Sequence, residues 1–177
     1  MSCSLLTRLI VLFACLSFTA CNRPSPEKAF DVAVLNSNML IGFANEGMER
    51  ELASPAMKMG KTKDEFFPMK RSEVVETKTK FVEENYEKLK AFPLTDDTKE
   101  IVQQSLAMHE LILPVYKNEY KQLARLYDDG APKEEVEKLQ QGIQEKYFPK
   151  FEVLYSKLIN SGKLYAKEHH IKVNWAM

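Results

Sequence analysis

The chain has 177 residues, with 25 basic and 25 acidic side chains and no formal net charge. That balance gives no electrostatic drive toward nucleic acid, so no nucleic-acid partner is expected. All three cysteines, Cys3, Cys15 and Cys21, come at the very start. The remainder has no thiol for a disulfide or a thiolate metal site, and packing alone must hold it together.

The first element is a leader. Arg8 precedes an apolar run from Leu9 to Leu16, the pattern of a secretory signal. The run is shorter than the roughly 20 apolar residues that span a bilayer. An ordinary signal peptidase cuts after small residues at the third and first positions before the cut, and Phe18 does not suit it. Phe18-Thr19-Ala20-Cys21 instead resembles the lipobox of bacterial lipoproteins, with Phe18 where the usual pattern has Leu. The resemblance covers residues 1–21 alone and names no family for the rest. It implies that residues 1–20 are a cleaved signal peptide and that the Cys21 thiol carries diacylglycerol. Residues 21–25 then form a lipidated tether, and the membrane is a partner through that anchor. Asn22 stands where an Asp would imply retention at the inner membrane. The implied location is therefore the outer membrane, facing the periplasm.

Residues 26–177 are the size of one domain. Ser25, Pro26 and Glu27 have the chemistry of a helix start. Phe30, Val34, Ile41, Met48 and Leu52, flanked by Leu35, Met39, Leu40 and Phe43, predict one wide-faced, buried helix up to Ser54-Pro55. Residues 55–71 read as a long connection, with Thr62-Lys63-Asp64-Glu65 as a capping box for a helical turn that Pro68 interrupts. A second helix is expected from about Ser72 to Ala91, and Phe92-Pro93-Leu94-Thr95 as a tight turn. The third is expected from Asp97 to Asp128, with Asp97 and Glu100 as a capping box and Gly130 as a left-handed cap. The fourth opens at Pro132 with a seam of Val136, Ile143, Tyr147, Phe151, Leu154, Leu158 and Tyr165. A weak point is expected at Asn160-Ser161-Gly162, and an extended tail at Ile171, Val173 and Trp175, which alternate. Pro114 and Pro149 should each kink a helix and free the carbonyls of Glu110 and Glu145.

The expected fold is all-α: an up-down-up-down four-helix bundle with kinked long third and fourth helices. With Cys21 so close to the first helix, the Phe92–Thr95 turn and the tail should lie near the anchor. The 55–71 connection and the Gly130 turn should lie far from it.

The chemistry searched for is largely missing. His109-Glu110 lacks the second histidine of a zinc-protease helix, because Leu113 stands there. No histidine follows a glutamate by three positions, as a di-iron bundle requires. There is no Cys-x-x-Cys-His for covalent haem and no glycine-rich phosphate loop. No cofactor is expected. Met57, Met59, Phe66, Phe67 and Met69, among lysines, suit an adaptable partner-binding surface at the distal end. The alternative for that segment is a cap over the core. The sequence thus points to a non-enzymatic envelope lipoprotein that binds an unknown envelope protein as an accessory, scaffold or inhibitor. The rival is a small-ligand, haem or metal binder of the periplasm, using a widened gap between the helices at Pro114 and Pro149, or His109, His169 or His170, or Met39 or Met48 paired with His169 or His170.

Overall fold

The computed structural model describes residues 24–54, 57–62 and 64–175. The leader, Cys21, Pro55 and Lys63 lie outside the described residues. The fold is mostly helical, with one small antiparallel hairpin.

Helix α1 spans Pro26–Ala33 and starts as its sequence demands. The Ser25 hydroxyl accepts the Lys28 N–H at 3.3 Å, Pro26 takes the first position, and Glu27 lies in the first turn. The single helix expected up to Ser54 does not form. A 3₁₀ turn over Leu35–Leu40 follows, then an irregular bend, and α2 begins only at Glu46, ending at Ala53. Polar side chains that compete for the backbone explain the break. The Ser37 hydroxyl donates to the Val34 carbonyl at 2.6 Å, and the Asn45 amide donates to the Ile41 carbonyl at 2.8 Å. The Asn45 oxygen then caps α2 by accepting the Gly47 N–H at 2.8 Å. Leu40 and Phe43 turn into the core, whereas Leu35, Met39 and Ile41 turn to solvent, against the expected burial.

The expected helical turn in 55–71 is replaced by two strands, β1 Met57–Met59 and β2 Phe66–Pro68. Thr62 and Glu65 belong to the hairpin loop: Gly60 N–H donates to the Glu65 carbonyl at 2.6 Å, and Glu65 N–H donates to Thr62 at 3.3 Å.

Helix α3 spans Arg71–Lys90. Its free N-terminal amides are capped across the fold by Asp128, whose carboxylate accepts Arg71 N–H at 2.8 Å, Ser72 N–H at 2.9 Å and the Ser72 hydroxyl at 2.7 Å. Partial burial pushes the Asp128 carboxyl up. The bonds from Ser72 and Arg71 outweigh it and hold the group below its ordinary range.

Helix α4 spans Lys99–Val115. Its lead-in is fixed by Thr95 and Thr98, each hydroxyl accepting the other's backbone N–H at 3.1 and 3.2 Å. This pair takes the role expected of Asp97 and Glu100. After Pro114 the helix loosens into a π turn at Tyr116–Tyr120, then continues as α5, Lys121–Asp128. Pro114 offers no N–H to the turn before it, and the Asn118 side chain donates to its carbonyl at 2.8 Å. Gly130, at φ 67°, ends α5 as expected, with Ala131 N–H returning to Leu126 at 2.9 Å.

Helix α6 runs unbroken from Lys133 to Glu168, 36 residues, through both Pro149 and the expected weak point at Gly162. Pro149 deprives the helix of one backbone N–H, yet the helix continues on both sides of it. Ser161 is a joint rather than a break: its hydroxyl donates to Glu100 at 2.7 Å and accepts from Gln104 at 3.0 Å. The tail lies on the core as expected, and Trp175 meets Phe30 edge to face at 5.8 Å between ring centres.

Helix α4 is the central element. It buries Ile101, Val102, Met108, Ile112 and Val115 and packs on α1, α3 and α6. At the π turn, Phe43 sits among Tyr116, Tyr120 and Phe151 at 5.3–6.0 Å. Two ends result. Pro24, Pro26, Leu94, Asp97 and Tyr165 meet at one. Leu52, Arg71, Ser72 and Asp128 meet at the other, where the hairpin emerges.

Candidate functional site

The hairpin is short because its sequence is short of strand formers, yet its pairing is definite. Met57 faces Pro68, Lys58 faces Phe67, and Met59 faces Phe66. Directly paired residues share a face, and successive residues alternate. Met57, Met59, Phe66 and Pro68 therefore line one face, and Lys58 and Phe67 the other. Met57, Met59, Phe66 and Phe67 are each more than half exposed, so the core-cap alternative does not describe them. Met69 departs from the group: it is half-buried and packs against the core.

The root of the hairpin is clamped. Lys58 Nζ binds both oxygens of Glu73 at 2.5 and 2.8 Å, and Glu73 also accepts the Lys70 N–H at 2.8 Å. The Lys58 ammonium first, and the Lys70 amide second, hold the Glu73 carboxyl below its ordinary range. Arg71 Nε donates to the Leu52 carbonyl at 3.1 Å, and its guanidinium lies over the Tyr127 ring at 5.9 Å. Glu73 thus holds the hairpin through Lys58, while Arg71 and Asp128 hold the start of the helix from which it emerges, and sequence reading missed all three. Their partners lie 15 to 57 residues away, beyond the reach of local pattern.

The sequence-nominated histidines are not brought together. His109 is fully buried in α4. His169 caps α6 with Nε2 at 3.0 Å from Asp97. His170 is exposed, in the left-handed conformation at φ 56°. Met39 is exposed, and Met48 is buried in α2, which packs on α5 at the hairpin end, away from His169. The imagined methionine–histidine haem pair is therefore not assembled. A groove of about 850 Å³ adjoins the π turn, over Val75, Thr79 and Tyr116, with the Lys117–Glu83 ion pair at 2.5 Å. It opens between α3 and the π turn, not between the two proline-bearing helices.

No helix among the described residues is long and apolar enough to cross a membrane. Comparison with protein families, curated proteins and solved structures finds no match.

Proposed function

We propose that this chain is a lipid-anchored, non-enzymatic protein of a bacterial cell envelope that binds a protein partner through its hairpin. On this reading Cys21 fixes one end to the membrane, in the outer membrane facing the periplasm. The scaffold between is an up-down-up-down bundle of four helical limbs, with α1, the 3₁₀ turn and α2 together replacing the first helix. The observation that carries the reading is the exposed apolar face of Met57, Met59 and Phe66. A rigidly rooted apolar surface costs solubility and is commonly kept for an interaction. Its two methionines suit an apolar, adaptable contact.

A photo-crosslinking residue at Lys61, in the hairpin loop, tests this in living cells. One discrete crosslinked protein is expected, lost on Met59→Ser with Phe66→Ser and retained on Leu164→Ser, an exposed apolar control on α6. Since Met59 and Phe66 are exposed, the double variant should keep the wild-type thermal midpoint. Crosslinks that survive the double change would exclude the hairpin as the binding surface. In the same cells, Cys21→Ser should release the protein from membranes; unchanged membrane association would refute the anchor.

A further inference from the structure

We propose that Asp97, Glu168 and His169 form a site for one divalent transition-metal ion of the zinc class. The site lies at the opposite end from the hairpin and is independent of the docking reading.

The backbone sets the three groups on fixed supports. Helix α6 ends in a reversal in which Ile171 N–H returns to Ala166 at 2.8 Å and His170 N–H to Lys167 at 3.3 Å. That reversal holds Glu168 and His169 side by side at the helix terminus. Asp97 lies in the turn locked by Thr95 and Thr98. The result is one imidazole nitrogen and two carboxylate oxygens, all within 4.8 Å of one another. With bonds of about 2.1 Å, two donors on one ion lie no more than about 4.2 Å apart. His169 Nε2 and Asp97 Oδ1, at 3.0 Å, already satisfy that. The exposed Glu168 side chain closes the rest by changing rotamer.

A second observation points to a ligand. Tyr165 is 5% exposed, and its hydroxyl has no hydrogen-bond partner among the described residues. It lines the same recess as Asp97, about 680 Å³ in volume, and its ring centre is 4.3 Å from that of His169. A tyrosine hydroxyl keeps its proton at neutral pH, so it is an O–H donor with no acceptor here. A ligand carboxylate drawn onto an ion, or a water bound to that ion, supplies the acceptor it lacks.

The donor set selects the ion. Nitrogen plus carboxylate oxygen suits zinc and its first-row neighbours, whereas magnesium and calcium prefer oxygen alone. Two carboxylates and a neutral imidazole match a dication in charge. Three protein ligands leave a fourth position open toward the recess, as in sites that hold an exchangeable water.

The test uses the full chain in detergent, with cobalt(II) as a visible-absorption probe and zinc(II) as competitor. One equivalent of cobalt should bind and be displaced by zinc. Asp97→Asn and His169→Ala should each weaken binding at least tenfold while keeping the apoprotein's thermal midpoint. His170→Ala should bind as wild type, and Tyr165→Phe should weaken binding several-fold without abolishing it. No saturable uptake by wild type would overturn the proposal. So would uptake unchanged in Asp97→Asn, or lost equally in His170→Ala, which would indicate a nonspecific histidine pair.

Discussion

His109 shows how burial decides what an ionisable side chain can do. Its Nδ1 lies 2.8 Å from the Ser105 carbonyl oxygen, which only accepts. Nδ1 therefore carries the proton, and Nε2 is an acceptor without a partner among the described residues. Burial pushes the group below its ordinary 6.5, with the Ser105 bond opposing more weakly. The folded protein thus resists protonation that the unfolded chain accepts. Stability is undiminished above about pH 6.5 and falls as the pH drops below it, with a slope of at most about 1.4 kcal/mol per pH unit for one proton. Replacing His109 by Leu removes both the orphan acceptor and this acid sensitivity. Urea titrations between pH 8 and pH 5 should show wild type and His109→Leu close together at pH 8, within about 1 kcal/mol. They should diverge in favour of the variant as the solution is acidified. Parallel pH profiles would contradict the assignment. His109 follows Val102 and Ser105 and precedes Ile112 at helical spacing, so its place on the buried face was legible in the sequence. The sequence reading nevertheless kept it as a metal candidate, because only the missing second histidine at Leu113 was counted against it.

Two glycines of α6 separate helix propensity from packing. Gly142 is exposed and has open space where a Cβ would go. Gly142→Ala should stabilise the protein by about 0.5–1 kcal/mol, the gain of alanine over glycine inside a helix. Gly162 is different, because a Cβ there would lie 2.8 Å from Val34 Cγ1. Val34 is buried and β-branched, so it cannot rotate away. The clash costs about 1–3 kcal/mol, which outweighs the propensity gain. Gly162→Ala should therefore destabilise, and opposite shifts in urea midpoint for the two variants would establish it. The same position shows why element reading failed locally. Asn160-Ser161-Gly162 has the composition of a break, but tertiary contacts with Val34, Glu100 and Gln104 give those residues other work. The long limbs α3, α4 to α5 and α6 were legible because their apolar spacing persists over many turns. The hairpin has three residues per strand, too few for alternation to register. The bend that leads into α2 passes through Ala44, held at φ 52° with its N–H on the Tyr120 hydroxyl at 2.8 Å. No local pattern announces a contact across 76 positions.

At the scale of the molecule, helices set the separation of the two ends. The 20 residues of α3 alone extend about 30 Å at 1.5 Å per residue. The recess beside Pro24 and the Phe92–Thr95 turn occupy one end, and the hairpin root at Arg71 and Asp128 the other. The sequence anticipated this polarity from alternating helix directions and short turns. It did not anticipate the carboxylate cap from Asp128 that fixes the helix start beside the hairpin. If Cys21 is the anchor, the Leu94 end faces lipid and the Lys61 end faces away. The absence of cysteine after Cys21 makes the geometry measurable, because Leu94→Cys and Lys61→Cys each add the one free thiol of an acylated, processed chain. Both positions are exposed. In vesicles carrying a headgroup quencher, a fluorophore at residue 94 should be strongly quenched and one at residue 61 should not, because quenching by contact fails over some 30 Å of helix. Equal quenching at both sites would mean that the molecule lies flat on the bilayer. Stronger quenching at residue 61 would place the apolar hairpin in the lipid and make the membrane, not a protein, its partner.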